Sequence, residues 1–502
     1  MPRTVADLLH LHQQRAADVA LACGGEQVSF GELGDRVRAA ASALLSEGVV
    51  PGDRVALLLP RGIEECVQLL AVMVTGAVAV PVHTKLRDDQ VRHVLVDAAP
   101  RLCVAGGERL LGLRNPDEVL RDVTAVAPSG PDGAAELPAD RPGPSDTDPA
   151  VILYTSGSTG LAKGIVQSHG NLALGAEVVA QFLSLGADDH VLSLLSFSFD
   201  YGLNQLLGAL WVGCRLTIAD HLGPGELAGL LREHRPTGLA GVPSLWHEVA
   251  AGLRGGVLTD ADGSSLRYVT NSGGALQLAD SGVLRRAWPH VDVHAMYGLT
   301  EAFRSASLPP AEFDEAPESF GYPIAGVDLL LVCPETGGVL EGAATGELVH
   351  TGALVATGYW QRPEESAQRF RPDPRGGGGR AVYSGDLVRR DERGRHYFVA
   401  RMDRMLKVQG HRVSPDEVAS GVVGAPGVGD VAVLGLDGGA DGHRIAVVVA
   451  GDPSDPGLVQ RLLRRCRTRL PSYMQPAVVR VLEQLPHNAN GKVDQAALRG
   501  ML

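Results

Sequence analysis

Val151-Ile-Leu-Tyr-Thr-Ser-Gly-Ser-Thr-Gly-Leu-Ala-Lys-Gly164 joins an apolar run to a loop crowded with hydroxyl groups. Val151–Tyr154 reads as a buried strand, and a helix is expected to open at His169–Leu172. The loop supplies three glycines (Gly157, Gly160, Gly164), four hydroxyls (Thr155, Ser156, Ser158, Thr159) and Lys163. Glycines let backbone amides turn inward around an anion, hydroxyls add donors, and the lysine adds positive charge. The pattern fits a phosphate-binding turn. It is not a Walker loop, because the Gly-Lys-Ser/Thr order is absent. The alternative for the same residues is a Gly/Ser hairpin at the surface.

Apolar β-branched runs alternate with segments of helical period on both sides of this stretch. Strands are expected at Arg54–Leu59, Val78–Val82, Val191–Leu195, Arg215–Ala219, Arg267–Thr270 and Gly346–His350. Helices are expected at Phe30–Leu45, Ile63–Val74, Leu172–Leu183 and Gly225–His234. Such alternation predicts an α/β fold with largely parallel sheets, and no fixed-period repeat interrupts it. Ala127–Pro149 reads as a polar, Pro/Gly-rich connector, and Gly376–Gly379 as a flexible loop before a strand. Charge marks a further joint. Residues 404–502 carry 12 basic and 9 acidic side chains, although the whole chain carries −13. Strands near Asp430–Leu436 and Arg444–Ala450, with a helix near Leu458–Leu470, make this segment a small α+β domain.

The 502 residues, 45% apolar and 21% charged, suffice for two to four structural units. The acidic balance argues against nucleic acid or anionic lipid as a partner. The six cysteines form no CxxC pair, which excludes a zinc knuckle or a thioredoxin motif and points to a reducing compartment. The N-terminus lacks a signal-peptide core. The most apolar window, Cys66–Val82, is broken by Gln68, Thr75, Gly76 and Pro81 and falls short of a membrane span. A soluble, cytoplasmic chain is expected, with no membrane partner.

Four further motifs follow the hydroxyl-rich loop: Met296-Tyr-Gly-Leu-Thr-Glu301, Tyr383-Ser-Gly-Asp386, Arg401-Met-Asp-Arg-Met-Leu-Lys-Val-Gln-Gly-His-Arg412 and Asn488-Ala-Asn-Gly-Lys492. In this order the five resemble the adenylate-forming superfamily of acyl-CoA synthetases, peptide-synthetase adenylation domains and luciferases. The resemblance covers nearly the whole chain. It implies a large N-terminal domain, 1–402, of stacked mixed and parallel sheets flanked by helices, which binds ATP and a carboxylate. A small mobile α+β domain, 403–502, would follow, with Asp403 at the hinge. ATP and Mg²⁺ are the implied cofactors. Thr155, Ser156, Gly157, Ser158, Thr159, Gly160 and Lys163 would hold phosphates, and Gly274, Ala275, Tyr297 and Gly298 would surround the adenine. Thr300 would contact the α-phosphate, Glu301 would hold Mg²⁺, and Asp386, Phe398 and Arg401 would complete the nucleotide site. Lys492 would be the catalytic cation, acting with Thr300 and Glu301.

Each residue also has a plainer role open to it. Tyr297 could belong to the core, Glu301 could cap a helix, and Asp386 could sit in a turn. Arg401 could be a solvated charge, and Lys492 could lie on an ordinary type I′ turn.

The substrate class implied by the resemblance is a carboxylic or amino acid. Asp200, in Leu195-Ser-Phe-Ser-Phe-Asp-Tyr-Gly-Leu-Asn-Gln205, lies where amino-acid-activating members keep an ammonium partner. A buried carboxylate is costly without a cation; the alternative is an N-cap for a helix beginning near Tyr201. Tyr201, Asn204, Ser272, Gly273, Met296 and Arg304 are the other pocket candidates. Arg304 is expected to point outward, with pairing to Glu301 or to a second acid as alternatives. Further stretches resemble free-standing ligases that load L-proline or similar acids onto carrier proteins, and also bacterial acyl-CoA ligases. The acceptor implied is a phosphopantetheine thiol, on a carrier protein loaded in trans or on CoA. A non-amino acyl or aryl acid, or a non-thiol acceptor, is the competing assignment. The basic segment Gln460–Arg469 is read as a solvated helix face, with docking to an acidic carrier protein or CoA as the alternative.

Overall fold

Two serines begin helices directly after strands: Ser29 ahead of Phe30–Ser46 and Ser168 ahead of His169–Phe182. Each side chain accepts from the backbone three residues on, and Glu32 and Asn171 close the reciprocal bond. These switches from strand to helix recur along the chain and build an α/β protein. The computed structural model describes residues 3–86, 88–106, 124–126, 143–156, 162–220, 223–402, 406–408, 411–437, 443–470, 472–488 and 491–502. Most of the expected connector at Ala127–Pro149 lies outside them. Contacts divide the chain into two compact units, Met1–Leu329 with His350–Val382, and Leu330–Val349 with Tyr383–Leu502.

The first unit contains two sheets. In one, Val19–Cys23, Arg215–Ile218, His190–Ser193, Gly238–Gly241, Tyr268–Asn271 and Asp292–Tyr297 run parallel in that spatial order. Antiparallel strands extend both edges, Glu26–Ser29 at one end and Ala306–Ser307 with Ser319–Pro323 at the other. In the second sheet the order is Gly358–Tyr359, Ala162–Ser168, Pro149–Ser156, Val78–Pro81, Arg54–Leu58, Leu102–Ala105 and Thr124–Val126. Its last five strands are parallel. A continuous core includes residues from Phe30–Ser46, Ile63–Val74 and Asp200–Val212 together with strands of both sheets. Leu69, Leu70, Phe197 and Leu206 in it have no accessible surface. Strands buried on both faces read as unbroken apolar runs, which is why the parallel core was legible.

In the second unit, residues 386–390 pair antiparallel with His396–Arg401. Its C-terminal part is a three-stranded sheet of Val428–Asp437, His443–Gly451 and Val478–Leu482. The last two strands are parallel, so the chain must cross over between them. Helix Leu458–Arg469 makes that crossing and buries Leu458, Leu462 and Cys466. Among the described residues no helix is long and apolar enough to cross a membrane.

Glu65 is the odd residue in helix Ile63–Val74, buried among apolar neighbours. Burial raises its carboxyl to about 8, against the pull of the nearby Arg61 cation. The folded chain keeps a proton that the unfolded chain releases near the ordinary 4.5. This contribution is therefore complete below pH 4.5 and is lost as pH rises through 8. Relative to the native chain, Glu65→Gln should gain stability between pH 5 and pH 8.5 by on the order of 3 kcal/mol in thermal unfolding. Parallel pH profiles would contradict it.

Candidate active site

The hydroxyl-rich stretch forms the end of an antiparallel hairpin whose first strand lies within the parallel sheet. Tyr154 pairs with Gly164, Thr155 with Lys163 and Ser156 with Ala162. Gly157, Ser158, Thr159 and Gly160 lie outside the described residues. The strands flanking the loop are thus paired, and the first of them is buried through Leu153. Lys163 forms an ion pair with Glu365, and its ammonium lies 5.5 Å from the centre of the Tyr359 ring. The Tyr359 hydroxyl donates to Glu301 Oε1 at 2.7 Å, and Arg369 Nε stands 3.8 Å from the same oxygen. Glu365 also accepts from Arg362. Its carboxyl is held below the ordinary range by the hydrogen bonds from Lys163 and Arg362. Burial and the Glu301 charge push the Tyr359 phenol up, so it remains a donor. The candidate phosphate cation and the candidate metal ligand therefore share one network.

Gln167, on the second hairpin strand, donates its amide to the carbonyl of Thr300. The Thr300 hydroxyl in turn donates to Asp200 Oδ1 at 3.3 Å. Asp200 is 4% exposed and is the first residue of helix Asp200–Val212; Phe199 occupies the N-cap without a side-chain bond. The capping alternative for Asp200 is corrected accordingly: the carboxylate sits inside the first turn, at the positive end of the helix. Next to it, Tyr201 is buried and its hydroxyl bonds Thr270. Asn204 is buried as well, and its Nδ2 has no partner among the described residues. Ser272 and Met296 are buried, whereas Gly273, Gly274 and Ala275 are exposed.

Arg304 overturns its expectation. It does not point outward: it is 2% exposed, donates from Nη1 to Ser272 Oγ at 2.8 Å and lies 4.7 Å over the Tyr201 ring. It follows Phe303, which adopts φ +53 in the left-handed region, and the turn at Thr300–Ala302. Tyr297 is half-buried, with its ring stacked on Phe320 at 4.5 Å and on His350 at 5.7 Å. Gly298 adjoins it at the end of the strand.

In the second unit, Asp386 and Arg401 are cross-strand partners and form an ion pair at 2.8 Å. Arg401 also donates to the carbonyl of Ser384. Phe398 is 38% exposed on the same strand as Arg401. Asp403 lies outside the described residues. Lys492 is exposed on a hairpin: the Asn488 amide donates to the Lys492 carbonyl, and Gly491 donates back to the Asn488 carbonyl. Gly491 is at φ +72. The turn expected there includes residues 489 and 490, which lie outside the described residues. On the basic helix, Arg465 donates to the carbonyls of Gly421 and Val423 and Arg461 pairs with Asp455, so both are committed within the domain.

Tyr359, Glu365, Arg369 and Gln167 escaped the sequence reading. They surround Lys163 and Glu301 only after long-range pairing, and no local pattern announces them.

Comparison with known proteins fits this arrangement. The family described as AMP-binding enzyme matches residues 10–360, and its C-terminal domain matches residues 417–492. The L-proline--[L-prolyl-carrier protein] ligase of Streptomyces coelicolor is 32% identical over 502 residues, covering 95% of this chain and 92% of that protein. A linear gramicidin synthase of Brevibacillus parabrevis is also 32% identical, over 96% of this chain, but this chain spans only 6% of that protein's length. The crystal structure of ATP-bound MatB from Rhodopseudomonas palustris superposes with a TM-score of 0.89 at 27% identity, covering 100% of this chain and 99% of that one. The class so defined is the AMP-forming ligases. The chain belongs to the AMP-binding enzyme family and, with it, to the adenylate-forming superfamily.

One glycine fixes where the pocket helix can start. A Cβ on Gly202 would stand 2.1 Å from the carbonyl oxygen of Ser196, so the first turn carrying Asp200 and Tyr201 would have to move. Gly202→Ala should cost about 1–3 kcal/mol. Gly208→Ala in the same helix, whose new Cβ meets nothing closer than 3.9 Å, should be neutral or stabilising. Comparison of the two melting curves checks this.

Proposed function

We propose that this chain joins a carboxylic or amino acid to the AMP moiety of ATP and passes the acyl group to a phosphopantetheine thiol. A carboxylate oxygen attacks the α-phosphorus, the bond to pyrophosphate breaks, and acyl-AMP forms. The thiol then attacks the acyl carbon and AMP leaves. The observation that carries the reading is the Thr300–Asp200 hydrogen bond, which joins the residue assigned to the α-phosphate to the residue assigned to the acid. Loading of an amino acid such as proline onto a carrier protein in trans is supported by the similarity to the prolyl-carrier-protein ligase. Transfer to CoA of an acid without an amino group is the second reading, supported by the similarity to MatB.

Glu301 suits Mg²⁺. Its side chain is 13% exposed, and no group of three or more His, Cys, Asp or Glu among the described residues could cage an ion. A hard cation sharing one carboxylate with phosphate oxygens and water fits that donor set. When bound, Mg²⁺ supplies neutralisation of the phosphate charge. Lys163 and Arg369 are the cations beside Glu301 that would order the phosphates. Asp386, with two acceptor oxygens, suits a ribose diol, and Arg401 holds it in place.

The functional boundary we propose falls at 402/403 with Asp403 as hinge, although residues 383–402 group by contacts with the second unit. Lys492 is assigned to the charge that builds on the α-phosphate during attack. Carboxylate-dependent ATP–pyrophosphate exchange tests the whole assignment. Its absence across proline, small amino acids, aryl acids and fatty acids, with folded protein, would defeat it.

Lys492→Ala should lower exchange by about 100-fold or more while leaving ATP affinity and thioester formation from preformed acyl-AMP largely intact. Equal loss of both half-reactions would contradict the role. Asp200→Ala should abolish use of amino acids but spare the corresponding plain acids, and unchanged selectivity would remove the ammonium-partner assignment.

A further inference from the structure

Arg304 brings a guanidinium into the interior with little to neutralise it. Its only hydrogen bond among the described residues runs from Nη1 to Ser272 Oγ. Its Nε is buried without a partner, and no ion pair within 4.0 Å involves it among those residues. Glu301 accepts from Tyr359 beside Arg369, Asp200 accepts from Thr300, and neither pairs with Arg304 among the described residues. The stacked face of Tyr201, 4.7 Å away, orients the cation but cannot satisfy its in-plane donors. A guanidinium taken out of water is costly unless an anion meets it. Its planar fork matches a carboxylate with two parallel bonds.

The position of Arg304 says which carboxylate. Tyr201 and Ser272 are its neighbours, and both belong to the candidate acid pocket. The reacting carboxylate must instead lie toward Thr300 and the α-phosphate. Phe303, just before Arg304, is at φ +53 and packed in the core at 1% exposure. We infer that the acid this chain activates carries a second carboxylate, remote from the reacting one, which Arg304 and Ser272 bind. The inference rests on the adenylation reading and narrows it: proline and simple monoacids become poor substrates, and small dicarboxylic acids, with or without an α-amino group, become the preferred class.

The test uses the full-length protein and isosteric pairs: aspartate against asparagine, glutamate against glutamine, succinate against succinamate, and malonate against malonamate. In ATP–pyrophosphate exchange the best diacid should exceed its amide by about 100-fold in kcat/KM, because a site built for a charged group rejects the analogue that lacks it. Arg304→Gln should collapse that ratio to within about threefold of unity through the KM of the diacid, and Arg304→Lys should restore part of it. The diacid, and not its amide, should also raise the melting midpoint of the native chain. Exchange with monoacids and no preference for any diacid overturns the inference and leaves adenylation standing. Equal loss on both members of a pair in Arg304→Gln overturns it too, since Arg304 would then serve the reacting carboxylate or the fold. Where that variant fails to fold, the native ratio decides alone. No exchange with any acid, proline and aryl acids included, removes the adenylation reading itself.

Discussion

The amide of Gln167 donating to the carbonyl of Thr300 is the bond on which the arrangement of the first unit's candidate site depends. Gln167 has no accessible surface, so the bond works in a medium where it is strong and its loss is expensive. On one side it holds the hairpin strand that carries Lys163. On the other it holds the short turn from which Thr300, Glu301 and Arg304 project. Through that turn the hairpin is linked to Asp200 at the start of a helix and to Ser272 at the end of a strand. Four segments distant in sequence thus meet through one side chain.

The arrangement alternates charge in a way that keeps each member useful. Lys163 is balanced by Glu365, Glu365 by Arg362, and Arg362 by Asp97, while Tyr154 donates to Asp97 from the strand below. Glu301 faces Tyr359 and Arg369. Lys163, Arg362 and Arg369 each have an anionic neighbour, so a phosphate arriving there would exchange partners and would not meet bare charge. Such exchange limits the desolvation cost of assembling several charges in a half-buried place.

Much of this was legible beforehand, for physical reasons. Parallel strands buried on both faces give apolar runs, and the expected Arg215–Ala219 and Val78–Val82 differ from the observed strands by one residue at the end. Helix Ile63–Val74 has the bounds expected of it. The five motifs were found because each concentrates glycine, hydroxyl or charge within a few residues. What stayed hidden depends on distance or on backbone conformation. Arginine is normally solvated, so nothing local turns Arg304 inward; the cause is the conformation of Phe303 and a Tyr201 ring about a hundred residues away in the chain. Tyr359 and Arg369 were silent for the same reason, since Tyr359 reaches Glu301 through sheet pairing and Arg369 through the helix that follows it.

The left-handed Phe303 has a consequence for how this pocket could change over evolutionary time. A left-handed aromatic residue is tolerated only while its surroundings over-determine it, so the turn and the ring wedged behind it behave as one heritable block. Exchanging Arg304 alone leaves the block aimed at the same spot, with a different head group. Relaxing Phe303 swings the head group away altogether. A different side chain aimed at the same spot is thus most easily reached by exchanging the whole Thr300–Ser305 segment at once.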